Sequence, residues 1–199
     1  MKQVTAKQVY EPDRSEGKRR LIAVLVMVLI ILLGTVTAAR NSLEDLRWEA
    51  MQVFYSGIRY DDSSIYDELD NRIAAAGELV ELAKTYQLES RPEVKTVQSA
   101  CENLEQAYSP AGWYEENERL SAACDNLLTV LPTSDWSEED RLQIERLTVE
   151  LQSANERISQ SPYNEKAAEF NRILEQFPAK ILKGDVEKLE FFAPNGNQP

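Results

Sequence analysis

Residues Leu21–Ala39 read LIAVLVMVLIILLGTVTAA, a run without a charge whose only polar side chains are Thr35 and Thr37. A helix of that length extends about 28 Å, close to the hydrocarbon thickness of a bilayer. In lipid the backbone must satisfy its own hydrogen bonds, which forces a helix. A charge at its centre would cost about 3 kcal/mol. The run therefore predicts a transmembrane helix over 21–39 whose partner is membrane lipid. Residues 1–20 precede it as a tail that mixes charge with Pro12 and Gly17 and reads as disordered.

Lys18-Arg19-Arg20 and the small-residue end Thr37-Ala38-Ala39 would also suit a cleaved signal peptide. Such leaders usually run to about 15–30 residues, and this one would be longer, so an uncleaved anchor is expected. Six Lys and Arg residues precede the span, against three (Arg40, Arg47, Arg59) in the stretch that follows it. Basic flanks stay in the cytoplasm, so the N-terminus is expected inside the cell membrane and the following domain outside.

Charge separates the two sides of the span. Residues 1–20 carry six basic and three acidic side chains, and the rest of the chain carries 16 basic and 31 acidic. An excess of that size opposes binding to nucleic acid and to anionic headgroups, so no nucleic-acid partner is expected. Histidine is absent and there are two cysteines. This removes His-based metal sites, the Ser-His-Asp triad and His acid–base chemistry. The sequence also lacks a D-x-D-x-D-G loop, a Walker loop and G-x-G-x-x-G. No cofactor, metal site or catalytic residue is expected, and the chain reads as a non-enzyme.

Beyond the span every periodic segment is helical. Leu43, Leu46, Ala50, Val53 and Phe54 continue the first helix to about Tyr55, and Gly57 with Asp61-Asp62 breaks it. Ser64 is placed to cap a second helix over 64–88, with Ile65, Leu69, Ile73, Ala76, Val80 and Ala83 on one stripe. Leu79, Leu82 and Tyr86 widen the stripe, so this helix should touch more than one neighbour. Pro92 opens a third helix with Val94, Val97, Cys101, Leu104 and Tyr108 in register. Ser109–Gly112 reads as a turn before a fourth helix over 113–131, which carries Leu120, Cys124, Leu127 and Leu131.

Asp135-Trp136-Ser137-Glu138 reads as the capping box of a fifth helix. Glu138, Glu139 and Asp140 then lie in its first turn, where the helix dipole favours them, and this accounts for the acidic cluster without catalysis. Ile144, Leu147, Leu151, Ala154 and Ile158 form one seam, and Tyr163, Ala167, Phe170, Leu174 and Phe177 form another. Pro162 between them predicts a kink rather than a break. The expected fold is all-α: the transmembrane helix, then an antiparallel bundle of four to five long helices over 40–193 and a disordered tail over 194–199.

Cys101 and Cys124 fall on core stripes of the helices joined by the 109–112 turn, and the midpoint between them falls at that turn. A disulfide between them and two buried thiols both remain open, since bridging needs a closer approach than helices usually make. Tyr163-Asn164 and Phe170-Asn171 repeat one heptad apart. Asparagines at that spacing can fix helix register through hydrogen bonds, and a peptide groove is the sharper alternative.

The stretch from Asn155-Glu156-Arg157-Ile158 through Tyr163-Asn164, Phe170-Asn171, Ile173 and Phe177-Pro178 resembles the C-terminal signature of the LemA family. That signature reads E-N-R-I, then Y-N-x5-Y-N-x2-I-x3-F-P and an apolar tail ending in Phe, here Phe191-Phe192. The resemblance covers about residues 40–193 and is strongest after 113. The chain departs from the pattern at Phe170, at Pro162 and at Asn71–Val80, where the family has a basic pair and an I-P-N-L-V run. The resemblance implies a bacterial membrane protein with a coiled-coil-like bundle and no catalytic residues. Function is accordingly expected as a membrane-anchored interaction or adaptor module of the cell envelope. It would act on an envelope protein through a helix groove or an exposed tail at Phe191 and Phe192. Self-assembly into an envelope structure is the alternative.

Overall fold

The computed structural model describes residues 14–58, 63–131 and 136–198. Its elements are α1 (Arg14–Ser56), α2 (Ile65–Thr85), α3 (Pro92–Gln106), α4 (Pro110–Val130), α5 (Glu138–Ser159), α6 (Tyr163–Glu175) and the single turn α7 (Ala179–Leu182). A 3-10 turn, Pro194–Gly196, follows near the C-terminus. No strand occurs among the described residues. The fold is all-α, a long apolar N-terminal helix followed by a packed bundle.

The span is part of a helix of 43 residues, about 65 Å long. It starts at Arg14, so the last residues of the predicted disordered tail are helical. From Leu21 to Leu33 its large apolar side chains are exposed, and none of the most apolar stretch is buried by the rest of the protein. Thr35 and Thr37 each donate a hydroxyl back to the carbonyl four residues earlier, at 2.8 Å, so neither presents a bare polar group. Beyond Ala39 the same helix turns one stripe inward, with Leu43, Ala50 and Phe54 buried. Leu46, expected on that stripe, is exposed. The helix ends at Gly57, whose φ of 71° suits glycine, and the amide of Gly57 still donates to the Val53 carbonyl.

Above this stem α2 packs on α1, α3 and α5, which is why its apolar stripe is wide. Ser64 caps it in a reciprocal box with Asp67. α4 packs on α3, and α5 returns along α2. α6 then runs back down α1, so that Tyr163 meets Phe54 while α7 lies against the exit of the span. The molecule has two storeys. The lower holds the soluble part of α1 with α6 and the C-terminal segment, and the upper holds α2–α5.

Several local expectations are corrected. The predicted turn at 109–112 is the first turn of α4, where the Ser109 hydroxyl accepts from the Gly112 amide and Pro110 occupies the position that needs no donor. Tyr108 is exposed because α3 ends at Gln106, before the Ser109 cap, and Ala100 takes the core position beside a half-buried Cys101. The cap of α5 is Ser137 with Asp140, not a box opened at Asp135. Asp135 itself, like Pro132, Asp61-Asp62 and residues 1–13, lies outside the described residues.

At Pro162 the helix breaks instead of kinking. Proline removes one backbone donor and biases Ser161 away from helical backbone, and the Gln160 amide closes α5 on the Glu156 and Arg157 carbonyls. The break lets the chain leave α2 for α1. Phe177, expected on the α6 seam, is 82% exposed because Gln176 is extended and turns the chain away. Residues 194–198 are not a disordered tail: the Gly196 carbonyl accepts from the Phe191 amide, and the 3-10 turn packs on α4.

The storeys meet in an aromatic cluster. Phe54 stacks on Trp113 at 5.0 Å, meets Tyr163 edge-on at 5.1 Å and lies 6.0 Å from Phe192. Phe54→Ala removes the ring common to all three contacts and is expected to cost about 3–5 kcal/mol. Urea unfolding of the full chain in detergent, followed by circular dichroism, measures the loss.

Candidate functional site

Two polar constellations stand out; the signature residues supply Asn155 and Arg157 to the first and Tyr163, Asn164 and Asn171 to the second. The first crosses the upper storey between α2, α4 and α5. Glu68 on α2 is 2% exposed, and Arg157 on α5 clamps it with two bonds of 2.6 and 2.7 Å. Burial pushes the Glu68 carboxyl up, but the hydrogen bonds and charge of Arg157, helped by Ser63 and Asn71, outweigh it and hold the group below its ordinary value. One turn on, Arg72 is also 2% exposed. Its Nη1 donates to the Leu151 carbonyl and its Nη2 to the Ser121 hydroxyl, both at 2.6 Å.

The Ser121 hydroxyl in turn donates to the Asn117 carbonyl at 3.0 Å, and the Asn117 amide donates to Asn155 at 3.3 Å. Burial lowers the Arg72 guanidinium pKa, while Cys124, Glu118 and Asp125 oppose that effect. Among the described residues Arg72 forms no ion pair, and its Nε has no partner. Two clefts open between α4 and α5 on either side of this layer. One is of about 230 Å³, walled by Tyr114, Asn117, Asn155 and Ile158. The other, of about 190 Å³, is walled by Arg72, Ser121, Cys124 and Leu151.

The second constellation holds the C-terminal segment. The Asn171 amide donates to the Leu189 carbonyl at 2.9 Å, and its oxygen accepts from the Leu189 amide at 2.8 Å. Asn164 repeats the arrangement with Phe192, at 3.0 and 2.8 Å. Seven helical residues rise about 10.5 Å and three extended ones about 10 Å, so asparagines a heptad apart match backbone groups three residues apart. Between them the Tyr163 hydroxyl donates to the Glu190 carbonyl at 2.7 Å. Burial raises the Tyr163 hydroxyl pKa and keeps it a donor. The two asparagines therefore do not set helix register; they clamp an extended strap. Phe191, Phe192 and Ala193 are buried beneath it, so the expected exposed aromatic tail is part of the core.

Residues 62–198 match the model of the LemA family. The chain belongs to the LemA family. No curated protein matches the chain by sequence. The LemA match starts after α1, so the stem and span lie outside it, whereas the resemblance read from the sequence began at 40.

The LemA signature divides between the two constellations. Asn155 and Arg157 build the polar layer, and Ile158 is core. Glu156 lies on the exposed side and uses its carbonyl to end α5. Tyr163, Asn164 and Asn171 hold the strap, Phe170 is buried beneath them, and Ile173 is half-buried. Phe177 and Pro178 stand apart in the turn that leads to α7. Cys101 and Cys124 are free thiols; burial raises their pKa to about 11 and about 12, so both stay protonated. Among the described residues no three Cys, Asp or Glu side chains converge to hold a metal ion. Asp140, from the acidic cluster, takes hydrogen bonds from Ser137 and Tyr86, which lower its pKa as a cap.

Sequence reasoning missed Glu68, Arg72 and Asn117. Glu68 and Arg72 are one turn apart, which a periodicity argument assigns to a solvated ion-pair face. Only their adjacency to Ile65, Leu69, Ala75 and Ala76 on a helix buried on several sides hinted otherwise.

Arg157→Ala leaves a buried carboxylate without its partner and is expected to cost about 3 kcal/mol at pH 7. Wild-type Glu68 has a depressed pKa, so its contribution is complete above the unfolded value of about 4.3 and fades as pH falls through the folded one. In the variant burial is opposed only by the hydrogen bonds of Ser63 and Asn71, so the Glu68 pKa rises relative to the wild type and the penalty is relieved on acidification. Urea midpoints of both proteins should therefore converge between pH 7 and pH 4, and a constant gap refutes the pairing. For the strap, Asn171→Ala strands the Leu189 amide, a loss of about 1–3 kcal/mol. Hydrogen exchange at Leu189 should accelerate about 10- to 100-fold, with α2 and α5 unaffected.

Proposed function

We propose that this LemA-family chain is a single-pass membrane protein whose helical domain serves as a non-enzymatic interaction module of the bacterial cell envelope. The observation that carries the reading is α1 itself. A fully exposed apolar length, suited to lipid, continues without interruption into the stripe that nucleates the bundle core. The basic excess before Leu21 favours a cytoplasmic N-terminus and an extracytoplasmic bundle. The surface offered to a protein partner is the α4–α5 face, where short polar side chains and the Arg72 layer line open clefts. The polar groups of the signature are engaged in holding the fold, which supports a scaffold role over catalysis.

The full chain should resist alkaline carbonate extraction of bacterial membranes. A reporter fused at the C-terminus should be active only on the outer side. Recovery of the intact chain in the soluble fraction would sink the anchor, and a reporter active only inside would reverse the direction. Light scattering in detergent separates the alternative of self-assembly, for which a defined oligomer is expected instead of a monomer.

A further inference from the structure

The segment after α6 is unlike the rest of the domain. Phe177 is 82% and Ile181 73% exposed, in a molecule whose other C-terminal aromatics are buried. Between and beside them stand Lys180 and Lys183, and residues 176–184 contain no acid, although the chain beyond residue 20 carries 31 acidic against 16 basic side chains.

Position gives these features their meaning. α6 runs antiparallel to α1, with Tyr163 beside Met51 and Phe54 near its top, and α7 touches α1 lower down. The segment is then pinned at the bottom. Asp185 pairs with Arg40, and Gly184 (φ +58°) lies so close that a Cβ there would stand 2.8 Å from the Arg40 Nε. Arg40 is the first residue after the uncharged span. The turn 176–184 is therefore held at the level where α1 leaves its apolar stretch.

We propose that the turn 176–184 is a second bilayer contact, in which Phe177 and Ile181 enter the interfacial zone and Lys180 and Lys183 face lipid phosphates. The occupant is the same membrane that holds α1, so the inference rests on the anchor reading above. The chemistry is that of interfacial elements generally: apolar side chains at the headgroup boundary with cations beside them. Continuity with the span and a local reversal of charge both favour lipid over a protein partner. The neighbouring Glu175 is occupied by Lys188 at 2.8 Å and reaches Lys180 only at 3.9 Å, which leaves Lys180 able to turn outward.

The test uses the full chain in vesicles of phosphatidylcholine and phosphatidylglycerol carrying a tagged, photoreactive-accessible acyl lipid. The photocrosslinker p-benzoylphenylalanine is placed at Ile181 or, as a control, at Leu142, which is exposed at the start of α5 in the far storey. Lipid adducts at 181 should exceed those at 142 at least tenfold. Equal labelling in chain that floats with the vesicles overturns the second contact. Chain that fails to float overturns the anchor instead. In the 181-labelled chain, Lys180→Glu with Lys183→Glu should reduce adducts several-fold more in the anionic vesicles than in phosphatidylcholine alone. An equal effect in both would overturn the role given to the lysines.

Discussion

Everything above the span is organised around the ring of Phe54. It is fully buried near the top of α1 and touches Trp113 from α4, Tyr163 from α6 and Phe192 from the strap. Tyr55, its chain neighbour, extends the cluster to Tyr66 on α2. A single helical turn thus gathers α2, α4, α6 and the strap, which also touch one another through Tyr66 with Trp113, Tyr114 with Phe192 and the asparagine clamp. Offset and edge-on ring pairs add to simple area burial. The long apolar N-terminal helix and the bundle are one packed object because the last buried turn of that helix is also the bundle's lower core.

The second organising device is the asparagine clamp. An extended segment laid on a helix has unpaired backbone groups on the side facing that helix. A carboxamide answers both the donor and the acceptor of one residue, which neither a carboxylate nor an amine can do. The strap in turn brings Phe192 onto Phe54. The LemA-like signature read from the sequence is in this sense a fastening: Tyr163, Asn164 and Asn171 turn their polar groups onto the strap, while Glu156 faces outward.

Helix order and most boundaries are legible because apolar spacing and caps are local properties, whereas the break at Pro162 and the short α7 raise the helix number above the four to five expected. Ser64, Pro92, Gly57 and the seam from Ile144 to Ile158 acted where the periodicity placed them. The failures share a cause. Tyr108 and Phe177 continue a heptad arithmetically, but the helix beneath them has already ended at Gln106 and Glu175. The spacing of Asn164 and Asn171 suits both a helix register and a peptide groove, because spacing alone does not say whether the opposing element is helical or extended. The burial of Glu68 and Arg72 has little local sign, since it depends on helices far along the chain: Arg157 lies 89 residues from Glu68. The two-storey layout, set by the break at Pro162, is a tertiary outcome with only a weak local sign.

The 43-residue α1 contains no glycine pair, proline or bulge between Leu21 and Ser56 that would let it flex sharply. For a domain carried on such a stem, the lean of the buried part is the lean of everything above it. Membrane helices commonly tilt by about 20°, and the angle depends on how the apolar length matches the local hydrocarbon depth. A change in lipid thickness would thus be converted into a sweep of the distal helix ends, where Tyr86 and Trp136 stack at 4.7 Å. On the proposed anchor reading, the stem is a lever arm whose angle the bilayer sets.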